Sequence, residues 1–502
     1  MKNIFSKAKA AFVAEGRFSS AFTAVLLAIL IAVNGIVYAL TNYFGLYLYS
    51  NDLSEVALSE APDAIFDKMK QEHRKVEILF CMAEDDLKSH DTGSLVHHTA
   101  TEMAARYSDV VTVKYMNILT RIDSDMKNRS AKIEKYKAAL SEGEVLRDSS
   151  VVFTYTSAAG QESYRVLTDN TSIGFAAFYM TDAEGNAIAY HGEEILTAMS
   201  VLTAAKAPKK VYFTQYHGEI ADISLTSLLV CAGYEIDVIN LRDRDIPEDC
   251  ALLVISSPQT DFEKASEGSG VVTEIERLAR YTQEGGHLLV TLHSHLKTPL
   301  KNLEAFLSAR GISLIREQNL TAIVRDNAGS LPTDAYTLVA SYAESELSAT
   351  LAPHLADRGG VVLTETAALS LTGSAKPLLV SSPSASLEAD GKTVDRAGSY
   401  VLAATAAVQG GGDITVIPSV YLTATDAMTS NTYSNRTFVY GLIETLYGGE
   451  DLPYGCRTVN LMTDTLENLT ARAARIYTAV IFLIPTALAA FGFVTIRRRK
   501  NR

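Results

Sequence analysis

The chain has 502 residues, of which 47% are hydrophobic, and its 45 basic and 58 acidic side chains give a formal net charge of −13. This length is too great for a single hydrophobic core and predicts two or three domains. The acidic balance excludes nucleic acid and an anionic lipid surface as natural partners for the bulk of the chain.

A long apolar stretch that carries no charge runs from Phe18 to Asn51, near the start of the chain. A membrane-spanning helix needs roughly 20 apolar residues, and basic flanks stay in the cytoplasm. The basic residues before this stretch are Lys2, Lys7, Lys9 and Arg17. We therefore predict a cytoplasmic segment over 1–17 and a transmembrane helix over 18–42, followed by a juxtamembrane linker and helix over 43–74.

A cleaved signal peptide is the alternative interpretation of the first stretch. The apolar run is longer than the roughly 7–15 residues of a signal peptide. No small-x-small cleavage site follows it at once, and four aromatic residues typical of a membrane interface follow instead. These are Tyr43, Phe44, Tyr47 and Tyr49. An uncleaved anchor fits this pattern better.

The segment 75–205 is predicted to be an α/β domain. Ser59 followed by acids predicts a capped helix before it. Strands over 76–83 and 110–118 flank a helix over 93–107, and this β-α-β unit is thioredoxin-like in outline, although the redox CxxC is absent. A charged helix over 124–140, two β-hairpins and a helix over 192–206 complete the segment. The predicted hairpin strands are 150–156 with 163–168, and 175–182 with 187–192.

A second α/β unit is predicted over 206–315, because short apolar strands alternate with helices. This pattern indicates a doubly wound parallel sheet that is covered on both faces. The predicted strands are 211–215, 235–241, 251–258 and 287–293, and the predicted helices are 220–232, 271–283 and 301–311.

The segment 316–450 is predicted to be mostly β-structure that ends in a helix. Its strands lie within 361–371, 377–383, 399–408 and 413–419, and residues 384–399 form a polar loop or hairpin. A helix with an asparagine cap and a Gly-Gly stop follows. We expect the last strand and this helix to return to the second sheet, which makes the β-rich part an insertion.

A stalk over 451–475 leads to a second apolar, charge-free stretch, predicted to be a transmembrane helix over 476–496. Pro485 is tolerated in such a helix. A buried helix of a soluble domain is the alternative, but the basic tail 497–502 is a stop-transfer pattern. Both termini are then cytoplasmic. Without the two outer flanks, the chain keeps 36 basic and 57 acidic residues, so the part outside the cytoplasm has a formal charge of −21.

Four cysteines are scattered without a CxxC spacing, so they form neither a metal nor a redox motif. They are Cys81, Cys231, Cys250 and Cys456. Cys81 and Cys231 lie in apolar contexts and are predicted to be buried hydrophobes. A location outside the cytoplasm permits a disulfide such as Cys231–Cys250 without requiring it. No cofactor is expected.

Ligands of open α/β sheets bind beyond the carboxyl ends of the strands, so the candidate cleft residues are His217, Glu219, Ser257 and His293. A nucleophile site is one interpretation of the first three. No GxSxG elbow surrounds Ser257, and no cysteine replaces it. Polar residues also collect at strand ends simply because they reach the surface. A structural role or a ligand cleft is therefore favoured over catalysis.

The sequence patterns for a metal site or a phosphate site are weaker than those for the strand-end cleft. His293 and His295 share a face if their strand continues, as paired zinc ligands do, but no third ligand is evident. His97 and His98 are adjacent and point apart on a helix. The run 410–412 is Gly-Gly-Gly, lacks GxxxxGK[ST] and precedes a strand, so it predicts a tight turn. No metal site is expected.

Several short motifs, in order along the chain, resemble the Gldg-type (gliding-motility-associated) auxiliary proteins of ABC transporters. The family turn resembling "GHGE" corresponds to Tyr216–Glu219, with tyrosine in place of the usual glycine. An asparagine-led helix at Asn435 and an arginine-closed terminal helix complete the pattern. The other matching motifs are YHGEEILTA (190–198), KKVYFTQYHGE (209–219), GYE (233–235), IPED (246–249) and GGHLLV (285–290).

This resemblance implies a non-catalytic accessory or substrate-binding subunit of an ABC-2-type transporter. Its partners are then a permease and an ATPase, and its sheet is flavodoxin-like or amidotransferase-like without the nucleophile. Many members carry more spanning helices than the two predicted here. Small residues fit packing against a permease: Ala28, Ala32, Gly35, Ala487, Ala490 and Gly492. The alternative function is a ligand- or glycan-binding module or hydrolase outside the cytoplasm that uses the strand-end cleft.

Overall fold

A computed structural model describes residues 57–119, 126–140, 144–156, 160–168, 175–181, 186–202, 209–264, 272–296, 298–331, 334–355 and 359–461. The predicted transmembrane segments 18–42 and 476–496 lie outside the described residues, as do their basic flanks. Among the residues described, no helix combines the length and the apolar character that a membrane crossing requires.

Eight of the described helices follow the predicted order, and their ends lie at or within a few residues of the predicted ranges. The three short helices over 84–89, 346–351 and 425–429 have no counterpart in the sequence prediction. In chain order, the described helices are α1 Asp63–Gln71, α2 Glu84–Ser89, α3 Gly93–Arg106, α4 Met126–Ala138, α5 Gly192–Leu202, α6 Ile223–Cys231, α7 Glu274–Gln283, α8 Lys301–Ser308, α9 Glu346–Leu351, α10 Thr425–Thr429 and α11 Asn435–Tyr447.

The described strands fall into two α/β sheets and smaller ribbons. They are β1 Val76–Phe80, β2 Val111–Tyr115, β3 Val151–Thr156, β4 Glu162–Leu167, β5 Tyr179–Thr181, β6 Ala187–Tyr190, β7 Lys209–Thr214, β8 Tyr234–Ile239, β9 Cys250–Ser256, β10 His287–Thr291, β11 Ile312–Leu314, β12 Arg316–Glu317, β13 Leu320–Thr321, β14 Ile323–Arg325, β15 Ser330–Leu331, β16 Asp334–Tyr342, β17 Val361–Thr364, β18 Leu369–Leu371, β19 Lys376–Val380, β20 Ala385–Ala389, β21 Lys392–Gly398, β22 Val401–Ala407, β23 Asp413–Ile417 and β24 Val459–Asn460.

The first sheet has the strand order β2-β1-β3-β4. Strands β1 and β2 are parallel and joined through α3, and β3 and β4 form an antiparallel hairpin. Helix α3 buries Val96, Ala100 and Met103, which recur at helical spacing on one face. The predicted β-α-β unit and hairpin are confirmed.

The second sheet contains five parallel strands in the order β8-β7-β9-β10-β23. This is the 2-1-3-4-5 order of one common class of doubly wound sheets. Leu252 and Leu289 pack on the face that carries α6 and α11. Their neighbours Leu253 and Leu288 pack against α7 and α8 on the opposite face. Both faces are covered, so the predicted mixed α/β fold with a doubly wound parallel sheet is confirmed.

The β-rich segment continues this sheet instead of standing apart from it. Strand β22 is antiparallel to β23, and β19 and β16 follow it towards the edge. Strand β23 pairs in parallel with β10, so the expected return of the last strand to the second sheet is confirmed.

Helix α11 ends as predicted, at Gly448, whose φ of 68° lies in the left-handed region that favours glycine. The predicted asparagine cap is wrong. Asn435 is the first helical residue, and its amide is hydrogen-bonded to the backbone of Val362 and Leu422. The cap at Ser59 is also wrong, because α1 begins at Asp63 and the Ser59 hydroxyl donates to Glu193.

Two turns and the cysteines complete the comparison with the sequence. Residues 385–398 form a hairpin whose tip, Asp390-Gly391, has positive φ at both positions, as a tight two-residue hairpin turn requires. The triple glycine forms the turn between β22 and β23, as predicted. All four cysteines are buried free thiols, so the permitted Cys231–Cys250 disulfide is absent.

Candidate functional site

The loops after β7, β9 and β10 meet at the carboxyl edge of the parallel sheet, as the sequence predicts. The backbone N–H of Gln259 donates to the carbonyl of His217 over 2.7 Å. The N–H of Ser257 donates to Thr291 at the end of β10 over 3.1 Å. These bonds fasten three consecutive strand-end loops to one another and place the candidate residues in one region.

His217 is buried at the base of this region. Its Nε2 lies 2.8 Å from the Oε1 atom of Glu274 on α7, and its ring stacks on Phe262 at 4.0 Å between centroids. Burial acts to raise the pKa of Glu274, but hydrogen bonds from His217 and from the Glu263 N–H outweigh it and lower the pKa. His217 therefore braces the loop after β7 against α7.

Ser257 is not arranged as a nucleophile. It is fully buried with a φ of 48°, and its Oγ lies 3.0 Å from the Thr291 hydroxyl. Glu219 is half-buried and accepts the His217 N–H over 2.7 Å, which closes the turn. The Nε2 atom of His217, the Oε2 atom of Glu219 and the Oγ atom of Ser257 are thus engaged in holding loops, and His217 is bonded to a carboxylate instead of to a serine. The Nδ1 atom of His217 and the Oε1 atom of Glu219 are buried without a hydrogen-bond partner.

His293 and His295 do not form the paired face that a continuing strand gives, because β10 ends at Thr291. The Nδ1 atom of His293 accepts the backbone N–H of His295 over 3.1 Å. The Nε2 atom of His295 lies 3.1 Å from the Oε2 atom of Glu365. Over the described ranges, no group of three or more His, Cys, Asp or Glu side chains is placed to hold a metal ion.

A cavity of about 400 Å³ opens beside His295, between the strand-end loop and the tip of the β20–β21 hairpin. We call it the hairpin cavity. Tyr336 donates its hydroxyl to Glu388 in its wall over 2.7 Å. The other polar side chains in the wall include Glu365 and Asp390. Its walls come from both the predicted second α/β unit, 206–315, and the predicted β-rich segment, 316–450. The spacing of residues in the sequence therefore does not reveal the cavity.

A buried polar group that the sequence analysis missed lies between α5 and α11. Glu194 forms an ion pair with Arg436, accepts the Tyr440 hydroxyl over 2.6 Å and lies 3.7 Å from the Nδ1 atom of His191. Thr458 contacts both His191 and Arg436. We call these five residues the Glu194 cluster. The available signal was the charges within otherwise apolar helices, because a buried charge needs a partner.

The ionisation of the Glu194 cluster follows from burial and charge. Burial and the nearby Arg436 charge lower the pKa of His191 to about 4, so its imidazole is neutral at pH 7. Burial acts to raise the pKa of Glu194, but Arg436, His191 and Tyr440 outweigh it and lower the pKa. Within the cluster, Glu194 is therefore a carboxylate, Arg436 a guanidinium and His191 a neutral imidazole.

The neighbouring Glu193 joins distant parts of the chain. Its Oε1 accepts both the N–H and the hydroxyl of Ser59 over 2.8 Å, and its Oε2 accepts the N–H of Arg457 over 2.6 Å. Lys68 and Arg74 add ion pairs to Asp451 nearby. We call the Ser59–Glu193–Arg457 contact the end clamp, because it ties the first described segment to the last.

No family model and no curated protein matches this chain. Among solved structures, the N-terminal domain of mmIFT52 is 18% identical with a TM-score of 0.35, over 48% of this chain and 98% of that one. A ThuA-like protein from Bacteroides uniformis is 10% identical with a TM-score of 0.30, over 50% and 97%. The carbohydrate deacetylase Agd3 is 9% identical with a TM-score of 0.28, over 48% and 33%. TM-scores this low assign no activity, ligand or partner to this chain.

Proposed function

We propose that the chain is a non-catalytic, doubly anchored accessory subunit of an ABC-2-type transporter, with a permease and an ATPase as partners. The helices 18–42 and 476–496 hold it in the cytoplasmic membrane, and residues 43–475 lie outside the cytoplasm. Its first sheet is thioredoxin-like, and its second is flavodoxin-like or amidotransferase-like without the nucleophile.

The observation that carries the double anchoring is the end clamp, and the assignment of a permease and an ATPase as partners rests on the motifs that resemble the Gldg-type proteins. Two anchors in one bilayer require the intervening domain to return its ends to the same side. Ser59 follows the first anchor closely and Arg457 precedes the second, and a single carboxylate bonds both. The Nε2 atom of His217 is bonded to Glu274 and the Oγ atom of Ser257 to Thr291, and this separate pairing of the two residues supports a role without catalysis.

Membrane topology is tested by thiol labelling in intact cells. Because the four natural cysteines are buried, they give little background. Thr393→Cys, on the exposed β21 edge, is expected to react with a membrane-impermeant maleimide in intact cells. Ser6→Cys is the matched probe and is expected to react only after permeabilisation. Labelling of Ser6→Cys in intact cells, or protection of Thr393→Cys, contradicts the topology.

The partner assignment is tested by purifying the tagged full chain from its native membrane in mild detergent. An ABC permease and its ATPase are expected in near-stoichiometric amounts. Replacing Ala487, Ala490 and Gly492 with leucine is expected to abolish their recovery, since these small residues permit close helix packing. Leucine at Ile481, Ile484 and Val494 is the matched control and is expected to retain it. Purification of the wild-type chain without a permease and an ATPase contradicts the proposal.

The hairpin cavity favours a second candidate function, a binding module for a polar ligand such as a glycan. Its volume of about 400 Å³ lies within the roughly 300–1,000 Å³ typical of ligand pockets. Carboxylates and Tyr336 supply acceptors and an aromatic ring for a polyhydroxylated molecule. Oligosaccharide binding that Tyr336→Ala weakens and Tyr212→Phe leaves unchanged would support it. Absence of binding across a glycan array would exclude it.

A further inference from the structure

A second cavity, of about 500 Å³, lies between α4 and the amino ends of β1 and β2. We call it the α4 cavity. Strands β1, β2 and β3 supply its floor, and Lys132 and Lys135 of α4 lie along one side. We propose that the α4 cavity binds a small anionic sugar, whose carboxylate or phosphate group is held by Lys75 and Lys132. This inference does not depend on the transporter assignment.

The floor of the cavity arises because three neighbouring strands change from apolar to polar side chains at the same level. Leu79, Val152 and Val166 form an apolar row on the face that packs against α4. Two residues nearer the amino end of β1, the same face carries a row of hydroxyl and carboxyl groups instead. From β2 to β4 this row is Thr112, Glu77, Thr154 and Tyr164. The apolar contact with α4 therefore stops at this level, and a polar cavity begins.

The three carboxylates in the wall of the cavity are already paired with cations. Their ion pairs are Glu77–Lys114 with a nitrogen–oxygen distance of 2.5 Å, Asp109–Lys70 with 2.5 Å and Glu162–Lys135 with 3.4 Å. The hydroxyl of Tyr164 also donates to Glu162. An anion that enters the cavity therefore meets neutralised pairs instead of free carboxylates.

Two further lysines give the wall an excess of positive charge. Lys75 and Lys132 are exposed and line the cavity, the first just before β1 and the second on α4. Within the described part of the chain, no carboxylate forms an ion pair with either of them. The chain as a whole has a net charge of −13, so this excess is a local feature. A cleft lined by one sign of charge concentrates the opposite ion, and lysine binds carboxylate and phosphate as a point charge.

The rest of the wall selects a ligand that is polar over its whole surface. Among the described residues that line the cavity, only Val76 and Val110 are aliphatic, and both are buried. Thr112 and Thr156 are exposed, and their hydroxyl groups both donate and accept hydrogen bonds. A hydrocarbon body finds little apolar surface here, whereas the hydroxyl groups of a sugar find partners. The volume lies within the roughly 300–1,000 Å³ of small-molecule sites.

The test compares three sugars on the full chain in phosphatidylcholine nanodiscs, with empty nanodiscs as the blank. Glucuronate carries a carboxylate, glucose 6-phosphate carries a phosphate, and glucose is the neutral matched probe. Calorimetric titration is expected to give saturable binding of at least one anion, about 10-fold tighter than that of glucose, because two exposed ion pairs together contribute about that factor. The tighter anion identifies the preferred oxyanion. Its binding is expected to weaken at high salt, which screens exposed charges.

Three variants assign the binding to this cavity. Lys75→Gln and Lys132→Gln each remove one charge and are expected to weaken binding of the anion about 3- to 5-fold, the upper range for an exposed ion pair. Lys137→Gln, on the same helix and outside the lining, is the matched control and is expected to leave binding unchanged. All three lysines are exposed, so the variants are expected to fold, which circular dichroism checks.

The charge of the probe separates this site from the hairpin cavity. The wall of the hairpin cavity contains Glu365, Glu388 and Asp390, which repel an anion. Anion binding that Lys75→Gln and Lys132→Gln both weaken therefore belongs to the α4 cavity. Its failure leaves the accessory-subunit and hairpin-cavity proposals untouched.

Three results overturn the proposal. The first is that neither anion binds more tightly than glucose, which means that the two lysines are only solvated surface charges. The second is that Lys137→Gln weakens binding as much as Lys75→Gln and Lys132→Gln do, which places the anion elsewhere. The third is that inorganic phosphate binds as tightly as both sugar anions, which removes the sugar from the recognition.

Discussion

At the scale of single residues, the Arg436–Glu194 ion pair stands out because both charges are buried and lie on different helices. Removing one partner leaves an uncompensated charge, which costs about 3–5 kcal/mol. Arg436→Met is therefore expected to destabilise the chain by that amount. The double change Glu194→Leu with Arg436→Met is expected to recover most of the loss, since apolar packing often replaces a buried ion pair at little cost.

A double-mutant cycle of thermal unfolding midpoints measures this coupling. The single change Glu194→Leu completes the cycle and is expected to destabilise as strongly as Arg436→Met. If the double variant unfolds at a temperature no higher than that of either single variant, the pair is not a charge-compensated unit. The Tyr440 hydroxyl bonded to Glu194 is left without that partner in both leucine variants, so the recovery is incomplete.

His191 gives the chain a specific dependence of stability on pH. Its folded pKa of about 4 lies below the ordinary value of 6.5, so the unfolded chain binds the proton more readily. The stabilising contribution is present above pH 6.5 and is lost as the pH falls towards 4, by roughly 3 kcal/mol in all. Glu194, with its lowered pKa, acts in the same direction below about pH 4.5.

The prediction is checked by measuring the free energy of unfolding at pH 7 and at pH 4.5. Wild type is expected to lose more stability between these values than His191→Gln, which has no imidazole to protonate and keeps Glu194 and Arg436. Equal losses in the two proteins contradict the assignment of the neutral imidazole to His191.

At the scale of the elements, alanine is expected to destabilise the triple-glycine turn between β22 and β23 more at one glycine than at the next. A Cβ on Gly410, with φ 116°, comes 1.8 Å from the carbonyl oxygen of Gln283, whereas a Cβ on Gly411, with φ 102°, meets nothing within 4 Å. Gly410→Ala adds a backbone clash to the strain of a left-handed residue. Gly411→Ala adds the strain alone, on the order of 1–3 kcal/mol.

Gly410→Ala is therefore expected to lower the thermal midpoint clearly more than Gly411→Ala does. The two variants share composition, turn and exposure to solvent, so the second is a matched control for the first. Equal midpoints would show that the β22–β23 turn moves away from the end of α7 at no cost.

The elements themselves were largely predictable from the sequence. The alternation of short apolar strands with helices predicts the parallel sheet that the structure shows, and β23 lies beside β10 as expected. The helix caps were less predictable. Ser59 and Asn435 carry the right side chains for caps, but each bonds to a distant partner instead. A cap competes with tertiary hydrogen bonds, and those depend on the whole fold.

The candidate site was predictable in location and not in chemistry. Strand order alone places the loops of His217 and Ser257 together. Their partners Glu274 and Thr291 come from other elements, and only the packed structure shows that the Nε2 atom of His217 is bonded to the first and the Oγ atom of Ser257 to the second. The Glu194 cluster was missed because its acidic and basic members lie 242 positions apart, at residues 194 and 436, and no local periodicity links such a pair.

At the scale of the whole molecule, the end clamp joins the two segments that lead towards the predicted anchors. Glu193 is 4% exposed and accepts backbone N–H groups from both segments. Burial raises its pKa, while the bonds from Arg457 and Ser59 act to lower it. One carboxylate thus sets the relative position of the chain's entry into the domain and its exit, and strand β24 extends the contact by pairing with β6.

Breaking the clamp is expected to loosen both segments together. Glu193→Ala leaves the N–H groups of Ser59 and Arg457 without their acceptor, and each hydrogen bond to a charged group contributes about 1.5–3 kcal/mol. Amide hydrogen exchange is therefore expected to accelerate at least tenfold at both 59–61 and 457–460, while the amides of β9 keep their rates.

Ser59→Ala removes only a hydroxyl donor and is the matched control, expected to leave 457–460 unchanged. Glu193→Gln retains one acceptor oxygen and is expected to loosen one segment more than the other. Acceleration at only one segment in Glu193→Ala would mean that the two segments are held independently. The structure would then no longer support a domain whose two ends meet the same face of the membrane.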